Sequence, residues 1–198
     1  MAKELETKTA PEAEAAAVEQ IAENVVTRST FSEVVDKLLK DKTNRVYRGL
    51  MIKNVIKRDT DDDYARVTLV VNSSIPGYIP QDDGTYKRGL VSNIYTTSYA
   101  VAAVLKQDED TAMMGNYVVE HPEIIPIILS GATINVIQTD VKADTEYFNP
   151  FTTKEDVEPY VSDHDFIVNN IYSLKLGKMG LRYIDKLLDK SVESLLNA

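Results

Sequence analysis

Between Val46 and Val71 the chain alternates apolar and polar residues with a period of two, broken once by the polar run Asp59–Asp63. A period of two places successive side chains on opposite faces of a strand, and a five-residue turn rich in aspartate reverses the chain. The expectation is a hairpin with one buried face. In the first arm Val46, Leu50, Ile52 and Ile56 make an apolar row interrupted by Arg48. Tyr47, Lys53 and Lys57 stand on the other row, shared with Met51 and Val55. In the second arm Ala65, Val67, Leu69 and Val71 face one way, and Tyr64, Arg66 and Thr68 the other. Such a hairpin must find apolar partners, so the rest of the chain has to build a core on it.

The flanking segments read as helix and strand in turn. Residues 1–11 are too polar to bury and are expected to be disordered, and PEAEAAAVEQIAENVV after them reads as an amphipathic helix with proline in its first turn. Thr30 and Glu33 have capping-box spacing before the apolar run of a second helix. The segment SSIPGYIPQDDGTYKRGL carries repeated proline and glycine turn signals and reads as a long loop. Helix is expected from about Ser98 and again from Asp108 to Glu120, ended by His121-Pro122. In EIIPIIL, Pro126 suggests an edge strand or a bend. Ala132, Ile134 and Val136 begin another strand, with Val141–Phe148 as its return. Phe166–Leu176, apolar on both faces, reads as a strand covered on both sides. Gly177–Leu196 reads as a terminal helix with Leu181, Ile184, Leu188, Val192 and Leu195 along one side. These helical stripes are packing or self-association faces in the first instance.

Composition narrows the chemistry. There are no cysteines among the 198 residues, which removes disulfides, thiolate metal sites and cysteine nucleophiles. No run of 18 apolar residues and no hydrophobic signal core is present, so the expected setting is cytoplasmic, with no membrane partner. Serines lie outside any GxSxG elbow, and neither GxxxxGK[ST] nor GxGxxG occurs. The Asp61–Asp63 run lacks the glycine and distal glutamate of a calcium loop. His164 between Asp163 and Asp165 resembles one arm of a metal site, but nothing near it supplies the remaining ligands. The expectation is therefore no catalytic residue, no metal and no cofactor.

The net charge of −9 argues against a basic nucleic-acid coat, yet the charge is uneven. Arg48, Lys53, Lys57 and Arg58 fall between Val46 and Arg58 without an anion, and Lys87-Arg88 add a second basic spot. Eleven tyrosines and no tryptophan accompany them, several beside cations. Single strands are held by basic grooves bearing aromatic platforms on which bases stack. Tyrosine is also an ordinary strand residue with a wet tip, and both readings stand. On the first reading the path consists of Tyr47, Lys53, Lys57, Tyr64, Arg66, Tyr86, Lys87 and Arg88. The aromatic corner Tyr147–Phe151, through Tyr147 and Phe151, is a further contact. The strand count suits an α+β, β-rich chain: an OB-like five-stranded barrel with a helical insert and N- and C-terminal helices.

One stretch carries a family likeness. TINVIQTDVKADTEYFNPF followed by DHDFIVNNIYSLKLGKMG resembles the C-terminal half of single-stranded DNA-binding proteins of crAss-like phages, the large tailed phages of gut Bacteroidetes. The shared pattern is an apolar strand, a turn, Tyr-x-Asn-Pro-Phe, and a His-Asp strand of isoleucine and asparagine. It covers residues 131–176, under a quarter of the chain. The resemblance implies a replication or recombination protein that coats single strands in the host cytoplasm, with Tyr147, Asn149 and Phe151 near the motif's centre. It implies replication proteins as partners, although SVESLLNA departs from the acidic tail through which such proteins recruit them. The expected organisation is a lead at 1–11, helices at 12–45, the barrel at 46–176 and a helix at 177–198, assembling as a homo-oligomer. The alternative is a phage virion or assembly protein that uses the barrel as scaffold and the helices for oligomer contacts.

Overall fold

The computed structural model describes residues 28–58, 65–141 and 166–196. Helix α1 (Arg28–Lys40) begins two residues before the expected cap. Strands β1 (Arg45–Arg58), β2 (Arg66–Pro80) and β3 (Tyr86–Thr97) follow, then helices α2 (Ser98–Leu105) and α3 (Ala112–Glu120). A 3-10 turn at Pro122–Ile124 leads into the short helix α4 (Ile125–Leu129). Strands β4 (Thr133–Val141) and β5 (Phe166–Lys175) and helix α5 (Lys178–Leu196) complete the described chain. The expected return strand Val141–Phe148 shares only Val141, the last residue of β4, with the described chain; its remainder, the expected helix Pro11–Val26 and residues 59–64 lie outside the described residues.

All five strands pair antiparallel in the order β3-β2-β1-β4-β5. The expected closed barrel is thereby corrected: this is an open sheet, with β3 and β5 as its two edges and no ladder joining them. The OB-fold assignment falls with the barrel. The reason lies in β1, which divides its pairing. Residues 45–51 pair with β4 and residues 52–58 with β2. The register slips between Tyr47 and Leu50 on one side and between Ile52 and Asn54 on the other. Gly49 adopts a φ of 67°, where a side chain would be strained. Asparagine amides serve the disturbed backbone: Asn135 accepts from the Gly49 N–H and Asn72 from the Met51 N–H, both at 2.9 Å.

The buried row of β2 is as expected, with Ala65, Val67, Leu69 and Val71 all buried. In β1 the slip moves Val55 into the core and leaves Ile56 47% exposed, reversing the expected roles. Leu50, Ile52, Leu69, Val71, Ile75 and Ile94 share one core with Val101, Leu105, Val118, Ile125, Ile128 and Leu129 of the helices. Thr97 caps α2 by accepting from the Ala100 N–H at 3.2 Å. Pro126 sits at the start of α4, where its missing N–H costs nothing, so EIIPIIL is helical rather than a strand. β5 is covered on both faces, as its composition requires, with Ile167, Val168 and Ile171 buried.

The expected long loop is instead the far end of the β2–β3 hairpin, an arm paired from Ile75↔Val91 to Pro80↔Tyr86. Prolines are tolerated there because β1 pairs with β2 only as far as Val71, leaving the arm's outer edge without a ladder. Side chains tie this arm to β4. The buried amide of Gln138 donates to the Pro76 carbonyl and to Asn169 Oδ1, and accepts from Arg45 Nε, all at 2.9 Å. A seam made by side chains thus stands where a barrel would have a backbone ladder.

Replacing Gln138 by leucine keeps the volume but strands three polar partners. At about 1–3 kcal/mol for each buried group left unsatisfied, the loss is expected to be on the order of 3 kcal/mol. Urea denaturation of the variant against the parent measures it. At α5, Gly180 lies against the Ile128 backbone carbonyl with no room for a Cβ. Gly180→Ala is expected to destabilise by about 1–3 kcal/mol through overpacking, despite alanine's higher helix propensity. The same denaturation experiment reads that sign.

Candidate nucleic-acid interface

Arg58 and Arg66 are direct partners across the β1–β2 ladder, where the two strands leave for the turn between them. Strand alternation puts Arg66 and Thr68 on the face opposite Val67 and Leu69, where Thr68 is buried and Arg66 half-buried. Tyr95 of β3 pairs with Thr68 and brings its ring beneath the Arg58 guanidinium, 5.3 Å from carbon to ring centroid. That separation is within the range of a cation–π contact. Burial lowers the Arg58 pKa from its ordinary value; Tyr95 opposes that shift and Arg66 adds to it. Arginine starts so high that the group stays charged, so two positive charges and an aromatic ring share one patch. Ile56, opposite Thr68 on the other side, supplies an exposed apolar neighbour.

A second cluster lies on the hairpin arm. Tyr78 pairs with Arg88, whose guanidinium carbon is 5.8 Å from the tyrosine ring centroid. Tyr86, two residues from Arg88, shares its face, and Leu90 is 68% exposed farther along. Asp140 binds this cluster to the rest of the sheet: its Oδ1 is 2.8 Å from Arg45 Nη2 and 3.6 Å from Arg88 Nη2. The turn carrying Tyr86 is held by Asp83, whose Oδ1 accepts from the Thr85 hydroxyl at 2.6 Å and from its N–H at 2.9 Å.

The residues expected from sequence are only partly brought together. Arg66 stands in the first cluster, and Tyr86 and Arg88 in the second. Lys87 pairs with Ile79 and points to the opposite face of the arm from Arg88. Lys53 is exposed at the β1 irregularity, away from both aromatic contacts. Lys57 pairs with the buried Val67 and so ends the core-facing row. Tyr47 is half-buried and packs against the core. Tyr64, Tyr147, Phe151 and His164 lie outside the described residues.

Arg58, Tyr78 and Tyr95 were not expected in the site. Arg58 was legible, because hairpin register places it opposite Arg66; Tyr95 was not, since only the β2–β3 ladder carries it to that face.

Other chemistry is sparse. His121 ends α3, stacks on Tyr117 with centroids 4.4 Å apart, and pairs with Glu123 at 3.3 Å, which accounts for it structurally. An open groove of about 490 Å³ lies between β5 and the α2–α3 connection, lined by Gln107, Asp108, Glu109, Asp110 and Tyr172 among others. Its acidic wall repels phosphate, so it is no part of a nucleic-acid path. Among the described residues no group of three or more His, Cys, Asp or Glu could hold a metal, and no helix is long and apolar enough to cross a membrane. No protein-family model matches the chain, and no curated protein matches it significantly.

The Thr85 hydroxyl, and next the Thr85 N–H, hold the Asp83 carboxyl below its ordinary pKa. A lowered carboxylate pKa contributes stability above the unfolded value, lost as pH falls through the lower folded value. Thr85→Val removes the larger cause, so the Asp83 pKa is expected to rise toward the ordinary aspartate value. Carboxyl-carbon NMR titration between neutral pH and pH 2 checks it; an unmoved Asp83 curve contradicts the assignment.

Proposed function

We propose that this protein binds single-stranded nucleic acid, without chemistry, on the outer face of β1–β2–β3. The observation that carries the reading is the cross-strand pair Arg58–Arg66 with Tyr95 beside it, on the sheet face opposite Val67 and Leu69. The two guanidiniums offer planar donors to phosphate, and a tyrosine ring offers a base a stacking surface in any sequence. The arm's Tyr78, Tyr86 and Arg88 offer the same pairing of cation and ring a second time. An open, twisted sheet face suffices for this, and nothing in the reading requires a barrel. A replication role belongs to the same proposal and rests on the resemblance over residues 131–176. Replication partners rest there too. An assembly role is the second reading, favoured by the exposed leucines of α5.

With a net charge of −9, attraction to a polyanion has to come from the local patch and is screened by salt. Fluorescence anisotropy of labelled oligo-dT at low and moderate salt is the test. Binding is expected at low salt, falling with a log–log slope of about −0.7 for each phosphate contacted. Arg58→Ala with Arg66→Ala is expected to weaken binding at least tenfold and flatten that slope by about 0.7 for each lost contact. Tyr95→Leu is expected to lose about 1–3 kcal/mol while leaving the salt slope alone. Absence of binding at low salt would end the proposal.

A further inference from the structure

The turn at the tip of the hairpin arm contains a backbone link able to react with its own side chain. Between Pro80, which ends β2, and Tyr86, which begins β3, the chain reads Gln81-Asp82-Asp83-Gly84-Thr85. Of the eight glycines, Gly84 alone follows an aspartate or asparagine. At such a junction the glycine nitrogen, with no side chain beside it, can attack the preceding carboxyl. A bond forms between Gly84 N and Asp83 Cγ, the Cγ–OH bond breaks, and the hydroxyl leaves as water with the amide proton. The product is a cyclic succinimide. Water then opens the ring at either carbonyl. Opening at Cγ restores aspartate, and opening at the main-chain carbonyl leaves the chain running through Cγ as isoaspartate. The sequence is redox-neutral and needs only water.

Asp83 and Gly84 are both exposed, and a Cβ built on Gly84 meets nothing within 4 Å, so solvent reaches the junction freely. Hydrogen bonds restrain both reacting groups. The nucleophile is engaged, because the Gly84 N–H donates to the Gln81 carbonyl at 3.1 Å. The carboxyl is engaged as well: Asp83 Oδ1 accepts from the Thr85 hydroxyl at 2.6 Å and from the Thr85 N–H at 2.9 Å. Those bonds favour the ionised carboxylate, whereas ring closure needs the neutral acid whose hydroxyl can leave. The Gln81 N–H donates to the Thr85 carbonyl at 2.8 Å, closing the turn with Gly84 at a φ of 81°. Thr85 takes part in three of these four bonds.

We propose that the Asp83–Gly84 junction is a latent isoaspartate site held shut by Thr85. Conversion would add one main-chain carbon to the turn, between the closing pair Pro80↔Tyr86, and so disturb the neighbouring Tyr78–Arg88 contact. The proposal stands independently of nucleic-acid binding.

The test is ageing of the full chain at body temperature and mildly acidic pH. The synthetic tryptic fragment Val67–Lys87 is aged beside it as the unfolded reference. Peptide mapping with electron-transfer fragmentation locates isoaspartate, and heavy-oxygen uptake from labelled water reports passage through the succinimide. In ordinary water, conversion at Asp83 leaves the fragment's mass unchanged, which separates it from deamidation of Asn72 in the same fragment. The reference peptide is expected to convert, and the folded parent to do so at least about tenfold more slowly. Thr85→Val is expected to convert about tenfold faster than the parent, and Thr85→Ser, which keeps the hydroxyl, at close to the parent rate. A peptide that does not convert, or a parent that converts as fast as the peptide, overturns the proposal. Thr85→Val no faster than the parent, or Thr85→Ser as fast as Thr85→Val, overturns the role given to Thr85. Should Thr85→Val loosen the whole arm, as amide exchange would show, the parent-to-peptide ratio and Thr85→Ser still decide.

Discussion

The divided pairing of β1 is the constraint on which the rest of the structure depends. One strand of fourteen residues gives its first half to β4 and its second half to β2. Two sub-sheets therefore meet along a single backbone, and every irregularity at the junction must satisfy its own polar groups. Asn135 and Asn72 do this for Gly49 and Met51. Both bonds lie at exposed positions, so each is worth an ordinary hydrogen bond, about 0.5–1.5 kcal/mol. The irregularities they serve are where β1 changes partner from β4 to β2, and helices α2 to α4 pack one common core with the sheet.

The same change of partner decides how the sheet ends relate. The far end of the β2–β3 hairpin lies beside β4, and the join is made by a buried glutamine, an arginine and an aspartate. Side-chain bonds hold this join, and among the described residues the outer backbone edges of β3 and β5 have no ladder partner. From Arg58 to Tyr95 alternation sends half-buried cations and a ring to the face opposite Val67 and Leu69, while their neighbours fill the core. Core and candidate interface are two faces of the same strands, so a change that slips the register disturbs both.

How much of this was legible follows from the range of the interactions concerned. The β1–β2 hairpin, the apolar row Ala65–Val71, the α3 stop at His121-Pro122 and the two-sided burial of β5 were readable, because each depends on period, turn chemistry or proline within a few residues. The arm at residues 75–90 was misread as a loop because proline and glycine signal turns locally, and only an edge without a neighbour makes them acceptable in a strand. Pro126 was misread for a similar reason: its effect depends on whether it stands first or inside a helix. In β1, Ile56 and Val55 exchanged roles because one irregularity inverts every later position.

The candidate site divides along the same line. Sequence order alone determined that cations and tyrosines recur along the hairpin strands and that neither a GxSxG elbow nor a glycine-rich phosphate loop occurs. Local periodicity settles strands, helices and their apolar sides, since those interactions reach only a few residues. Tertiary structure decided that Tyr47 turns inward, that Lys87 and Arg88 part company, that Tyr95 joins Arg58, and that the sheet stays open. Those outcomes depend on register between strands far apart in the chain, and on where β1 changes partner, which no short-range pattern encodes.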